Sequence, residues 1–556
     1  MQQFSQNGAT GEDATEEEMI ETNHHYVRFW IENDEQREQL VADSLQLSDI
    51  PLDVEVVEGG DYYIEESETE QEAHWVYTAV PTSYDFAPNI QHEIIEDLFL
   101  IEPTTVSGEE ETTADDTNSI VSSAFSAHTD FLYALEEESL RLTGNLETEE
   151  LQPTTQGAVV QAFWGRKSSK RPKGHVKVYN TVTGKMEAVV GVKVNVRRWF
   201  KWSYDYTDSS GFYEIRRGYR NNVRYTVVFK NRIGFKIWPS LFSVSSARYR
   251  AGSRSKSGHD FNFYTSSVGW RWATVNNATV KYWDYCTDFG IGKPHHDLRI
   301  TANGKSGGGA APMFRRIGSI TTAILGEFIT ASGAYLIWGV KAAVPVSLLW
   351  VTARFVLPDV IIKANASQGT DGVYSTTFHE LAHASHYRKV GNTYWRKYID
   401  KVIDNWVFHN STAPYGTGRG NNHELVALGE MWGYHIGYFL TIQEFGDNNR
   451  ILSLNAFENF DPLSRPNDIA KSTYRNRSGW TGWMPGGILH DLMDNNRDFI
   501  RSGYYDDVSG YSTKKIFDAL DRGIESPQAF RDRLLSENDN KDEDNVRELF
   551  KAYYWD

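Results

Sequence analysis

The sequence predicts a multidomain α+β chain, with a small acidic α/β N-terminal domain, a β-sandwich, and a mixed α/β domain whose C-terminal half is helical. Three observations predict it. The 556 residues are more than one hydrophobic core serves. The charge is divided: residues 1–150 carry 38 Asp and Glu against three basic residues, a net of −35, and the rest carries 37 acidic against 53 basic, a net of +16. The hydrophobic period also changes along the chain, from mixed, to a strict two, to helical spacing.

Residues 1–22 read as a disordered leader, polar and acidic with too little apolar surface to fold. The small α/β domain occupies 23–102. Its expected elements are a strand over Tyr26–Ile31, a helix over Glu35–Ser44, strands over Asp53–Val57 and His74–Val80, and a helix over Ile90–Leu98. Residues 103–172 form an acidic linker with one helix near Ser122–Leu142. The acidic region is either a solvated leader or a segment that docks on the basic remainder, as a pro-region or lid would.

From 173 to 266 the period is two. Val192, Val194 and Val196 alternate with Lys193, Asn195 and Arg197, and Val223, Tyr225, Val227 and Phe229 alternate with Arg224, Thr226 and Val228. That alternation marks half-buried strands. Between them stands Thr207-Asp208-Ser209-Ser210-Gly211-Phe212-Tyr213. This turn, with aromatics opening the next strand, resembles the carboxypeptidase regulatory-like, transthyretin-like β-sandwich. The resemblance covers this middle segment. It implies an accessory module common in exported bacterial proteins, with no chemistry of its own.

Residues 267–556 hold the stretch around which the chain is organised, Thr376–Gly391 with His379-Glu380-Leu381-Ala382-His383. On a helix, residues four apart share a face, so His379 and His383 can offer two imidazole nitrogens to one metal ion. Glu380 is then beside the ion and can take a proton from a bound water whose pKa the metal lowers. The helix is expected from its own signals. Ser375 or Thr376 serves as N-cap, Leu381, Ala382 and Ala384 favour helix, Arg388 and Lys389 suit the C-terminal dipole, and Gly391 ends it.

The HExxH string resembles the zincin metallopeptidases. The sequence departs from the metzincin branch, because His386 and Lys389 stand where that branch continues with Gly and a third His. His386 shares the helical face of the other two, but three ligands on one straight helix cannot converge on a tetrahedral ion. It reads as an outer partner of the site or as a solvated residue.

The gluzincin branch takes its third ligand from a Glu on a following helix, and Asn422–Leu440, capped by Asn421 or Asn422, looks like that helix. It offers Glu430 and Glu424. Glu430 shares its face with Gly433 and Gly437, which would let two backbones approach, whereas Glu424 shares its face with Leu428, His435 and Phe439. The string Gly429-Glu430-Met431-Trp432 also looks like the ligand helix of several gluzincins. Glu430 is therefore favoured. The long interval after His383 leaves room for an inserted helix over Tyr394–Val407.

The resemblance implies a zinc metallopeptidase cleaving peptide or protein substrates. His379, His383 and Glu430 would hold Zn2+, with Glu380 as general base. The alternative is a cell-surface peptide- or glycan-binding protein on a zincin scaffold with little or no catalysis, and a metal hydrolase acting on a non-peptide substrate is a third reading. Tyr434, His435 and His490 are the candidates to stabilise an oxyanion, though none stands in a recognisable motif. Val356–Ala366, strongly β-prone, is a strand before the active helix, either the edge of the substrate cleft or an ordinary core strand. Gly304–Ala311 is too glycine-rich for regular structure and lacks the P-loop spacing, so it reads as a flexible loop with no phosphate role.

The C-terminal part is expected to be helical over Leu489–Met493, Lys514–Leu520, Ser526–Leu535 and Asn545–Tyr554. No apolar run spans a bilayer: Phe328–Val340 and Ala342–Ala353 are too short and read as buried core. Cys286 is the one cysteine, which excludes an internal disulfide and a cysteine-rich zinc site. Nucleic acid is disfavoured, because the basic residues of Trp164–Lys173 and Arg197–Arg220 accompany no recognised motif in an acidic chain. The acidic opening has no basic or apolar signal region, which leaves a cytosolic protein or one whose export signal has been removed. It looks like the segment behind a cleaved bacterial lipoprotein signal, and so points to a secreted or lipid-anchored location.

Overall fold

A computed structural model describes residues 22–43, 74–98, 169–198, 201–239, 246–317 except 306, 358–407, 421–446 and 484–555 except 498, together with short pieces at 45, 47, 51, 146–147, 415, 462–464, 473–475 and 481–482. The expected strand over Asp53–Val57, the helix near Ser122–Leu142 and the apolar runs Phe328–Val340 and Ala342–Ala353 lie outside the described residues. The protein is mixed α/β with several sheets, and it divides into two compact units.

The first unit is built on a three-stranded antiparallel sheet, with β1 (His24–Ile31) between β2 (His74–Pro81) and β3 (His92–Leu98). Helix α1 (Asp34–Ala42) supplies Leu40 to a small core of Val27, Phe29, Ile31, Val76, Val80 and Ile90. The strand expected over Tyr26–Ile31, the helix over Glu35–Ser44 and the strand over His74–Val80 all appear, shifted by a few residues. The helix expected over Ile90–Leu98 does not. That segment is β3, paired along β1 with Arg28 opposite Glu93 and bonded to it at 2.7 Å. Its Ile-Ile-Glu-Asp-Leu sequence suits a helix locally, and pairing with the central strand outweighs that preference. Ile94 and Ile95 are left exposed as a result.

The period-two segment forms strands as expected: β4 (Lys173–Asn180), β5 (Lys185–Ala188), β6 (Val192–Arg198), β7 (Lys201–Tyr206), β8 (Phe212–Glu214), β9 (Val223–Asn231), β10 (Lys236–Trp238), β11 (Arg248–Arg254) and β12 (Phe261–Phe263). The Asp208 carboxylate organises the turn before β8, accepting from the Ser210 and Phe212 amides at 2.8 and 2.9 Å, and Gly211 takes φ +78°. Beyond these strands come β13 (Arg299–Asn303), β14 (Gly309–Ala310) and β15 (Val360–Lys363). One sheet runs β14–β15–β13–β10–β9–β6–β7, with β11 also on β9, so it crosses the boundary expected between residues 266 and 267. The crossing is the parallel pair β10–β13, with Ile237 opposite Ile300.

Helix α2 (Val268–Phe289) reinforces the join. Ser267 caps it, and its buried Asn276 and Asn277 donate to the Val190 and Ala188 carbonyls at 3.0 and 2.7 Å. Buried amides of this kind are costly unless paired, so these bonds fix the helix against the strands.

The central element is α3 (Gly369–Val390), buried along nearly all its length between α5 (His423–Phe445), α2 and β15. It ends at Gly391 as expected. It begins a turn and a half before Ser375 and Thr376, which are therefore inside the helix and not its cap. The cap comes from a residue distant in sequence: the Thr370 amide donates to Thr181 Oγ1 at 2.7 Å, and the Thr181 amide donates to Thr370 Oγ1 at 2.9 Å. A residue of the β4–β5 turn thus caps the helix that carries the HExxH residues. Thr181→Val is expected to lower stability by about 1 kcal/mol, the usual worth of a cap, read as a lower urea midpoint. An unchanged midpoint would mean that the pair contributes nothing.

The inserted helix is present as α4 (Asn392–Val407). The C-terminal helices are α6 (Ile488–Asp491), α7 (Thr513–Ala519), α8 (Pro527–Glu537) and α9 (Glu543–Ala552), each within a few residues of expectation. Among the described residues no helix is long and apolar enough to cross a membrane.

Candidate metal centre

Helices α3 and α5 approach closely because α5 has no side chain where they meet. A Cβ on Gly433 would stand 2.8 Å from His383 Nε2 and 2.9 Å from His379 Cε1, and one on Gly437 would stand 3.0 Å from His379 Cβ. Two imidazoles of α3 therefore fill the space that α5 leaves. Trp432 Nε1 locks the crossing by donating to the Ala382 carbonyl at 3.1 Å.

At the crossing three side chains converge. His379 Nε2 and His383 Nε2 are 3.1 Å apart, and the Glu430 carboxylate lies 3.3 Å from the first and 3.4 Å from the second. Tetrahedral zinc with bonds of about 2.0–2.1 Å would place its ligand atoms roughly 3.3 Å apart. The triangle has that size. Glu430 is 1% exposed, and its Oε2 makes no hydrogen bond among the described residues. A buried carboxylate whose two oxygens each face an imidazole nitrogen is costly unless a cation or proton completes it. These residues fit a zinc ion. Burial alone would raise the Glu430 carboxyl, but the two imidazoles outweigh it and hold it below the usual carboxylate range.

Glu380 forms a cluster of its own with the two imidazoles, its donor atom within 4.8 Å of those of His379 and His383. That looser spacing sets it beside the triangle and leaves the closer approach to Glu430. It is 3% exposed, and burial, opposed by His379 and aided by Glu430, pushes its carboxyl up to about 8. Such a group holds a proton readily. Glu424 is not brought to the cluster. It lines a cavity of about 360 Å³ at the start of α5 with Asn422, His423 and Glu525.

His386 is fully buried, so the solvated alternative is excluded. Its ring meets those of Tyr394 at 5.2 Å and Trp395 at 5.8 Å, and burial pushes its pKa down to about 3, keeping it neutral. Trp395 also meets the His383 ring at 5.8 Å. The same indole thus contacts both His386 and His383.

Of the three oxyanion candidates, Tyr434 stands at the site, its ring 4.8 Å from that of His379. His435 is buried and stacks on Phe439 at 5.7 Å, while His490 lies 3.4 Å from Asp494.

Of the two alternatives for the strand before the active helix, Val360–Lys363 is the core strand, because β15 is paired with β13 on one side and β14 on the other. The edge among the described residues is β14, within the stretch expected to be a flexible loop. Asn365 and Gln368 side chains hold that stretch by donating to the Gly304 and Gly307 carbonyls at 2.7 and 2.9 Å. Gly309 touches the site directly: a Cβ there would lie 2.7 Å from Glu380 Cγ. Trp395 Nε1 donates to the Ala311 carbonyl at 3.0 Å, tying the inserted helix to the end of this edge. The glycine run was the available signal, since a glycine inside a strand marks close approach by another group.

No protein-family model matches the chain, and no curated protein matches its sequence.

Proposed function

We propose that this protein is a zinc-dependent hydrolase of peptide bonds, of the gluzincin type. The observation that carries the reading is the triangle of His379, His383 and Glu430, of a size suited to zinc, with the Glu380 carboxylate beside it. Zinc, when bound, would supply Lewis acidity to a carbonyl oxygen and lower the pKa of water. Glu380 accepts the proton of the attacking water and delivers it to the amine nitrogen as the C–N bond breaks. Closure of the site by buried helices keeps that carboxylate poorly solvated and so a stronger base.

A peptide is favoured as substrate by the edge strand β14, which is antiparallel to β15 and adjoins Glu380. An extended chain added along such an edge gains main-chain hydrogen bonds, and the missing side chain of Gly309 lets the Glu380 carboxyl pack against that edge. Tyr434, whose ring lies 4.8 Å from that of His379, could donate to an oxyanion.

The test is metal analysis of the full chain combined with turnover of a mixed peptide library. One zinc per chain is expected, with cleavage lost on chelation and restored by zinc. A zinc-loaded chain that cleaves no peptide would leave a binding protein on this scaffold, and a chain that retains no zinc would overturn the reading entirely.

A further inference from the structure

The inserted helix α4 sends one side chain into the metal centre. Tyr398, 5% exposed, donates its hydroxyl proton to Glu430 Oε1. Its ring is clamped on three sides. It stacks on Trp395 at 4.7 Å with an 18° tilt, meets the His383 ring at 5.7 Å, and fills the space left by Gly429, where a Cβ would stand 2.8 Å from Tyr398 Cε2. The hydroxyl therefore has little freedom, and the carboxylate it bonds is held by it.

We infer that Tyr398 is a positioning residue for Glu430, fixing the carboxylate so that Oε1 is engaged by the phenol and Oε2 is the oxygen offered to the metal. The two oxygens are already unequal. Each faces one imidazole nitrogen, Oε2 at 3.3 Å from His379 Nε2 and Oε1 at 3.4 Å from His383 Nε2, but Oε1 also accepts the phenol, whereas Oε2 makes no hydrogen bond among the described residues. A carboxylate tied at one oxygen resists swinging to bind a cation with both, which keeps a coordination position for water. His383 sharpens the point. Its Nδ1 has no hydrogen-bond partner among the described residues, so Trp395 and Tyr398 orient that imidazole by ring contact. Tyr398 thus steadies two members of the triangle. Outer partners of metal ligands commonly alter affinity by about 10–100-fold.

The inference rests on the proposed metal site, and its test separates the two. Zinc affinity of the full chain is measured by competition with a chromophoric chelator, and the cobalt-substituted protein is examined by its visible absorption. Tyr398→Phe keeps the ring and removes the donor. It is expected to weaken zinc binding by about 10–100-fold and to change the intensity of the cobalt bands, since a freed carboxylate can bind through both oxygens. Gly429→Ala, which crowds the ring without removing the hydroxyl, is expected to shift both readouts the same way and serves if Tyr398→Phe does not fold. Zinc affinity within twofold of the wild type, with an unchanged cobalt spectrum in a folded variant, would overturn the positioning role while leaving the metal site standing. A wild-type chain that binds neither zinc nor cobalt would overturn both.

Discussion

Replacing Glu380 by Gln is expected to lower peptide hydrolysis by about 10²–10⁴-fold, the usual worth of a positioned general base, while zinc content stays at the wild-type level. Glu380 sits beside the triangle of ligand atoms and within 4.8 Å of the imidazole donors, so the substitution removes a proton acceptor and no ligand. The amide is nearly isosteric. Burial already pushes the Glu380 carboxyl up to about 8, so without metal its protonated form and the amide are alike in charge and shape, and no loss of folding accompanies the loss of turnover. His379→Ala is the contrasting variant, expected to lose zinc and activity together. Full activity of Glu380→Gln, or loss of zinc from it, would overturn the assignment of Glu380 as base.

The parts of this site that were legible in the sequence are those carried by local periodicity. His379, Glu380 and His383 fall on a helix because their spacing and flanking residues are helical, and the glycines of α5 identified Glu430 because Gly433 and Gly437 share its face. The illegible parts depend on partners distant in sequence. Thr181 caps α3 across a long stretch of chain, so Ser375 and Thr376 were the only caps local reasoning could offer. Gly309 sits beside Glu380 because β14 pairs with β15, and a glycine run without its partner strand reads as a loop. Tyr398 lies one helical turn from Trp395, and nothing in that spacing reveals the carboxylate it meets. The same limit applies to β3. Its residues suit a helix until β1 is supplied, and ladder pairing along that strand then decides the matter.

The second large effect concerns the third ligand. Glu430→Ala is expected to lose zinc on dialysis, whereas Glu424→Ala is expected to keep it. The reasons lie in the different surroundings of two residues on one helix. Glu430 is buried at the crossing, with one oxygen bonded by Tyr398 and both facing imidazole nitrogens at 3.3 and 3.4 Å. Its removal leaves two imidazoles to hold the ion and strands the Tyr398 hydroxyl without its acceptor, so the loss should exceed the roughly 10–100-fold that an outer partner commands. Glu424 lines the cavity at the start of α5, beside Glu525, and touches none of the three. Glu430→Gln separates charge from shape: it preserves the packing and a hydrogen-bond acceptor for Tyr398 but removes the anion. If zinc is held by the charge, this variant also loses affinity while its fold, read by circular dichroism, stays unchanged. Retention of zinc by Glu430→Ala together with its loss from Glu424→Ala would show that the ligand was placed at the wrong end of the helix.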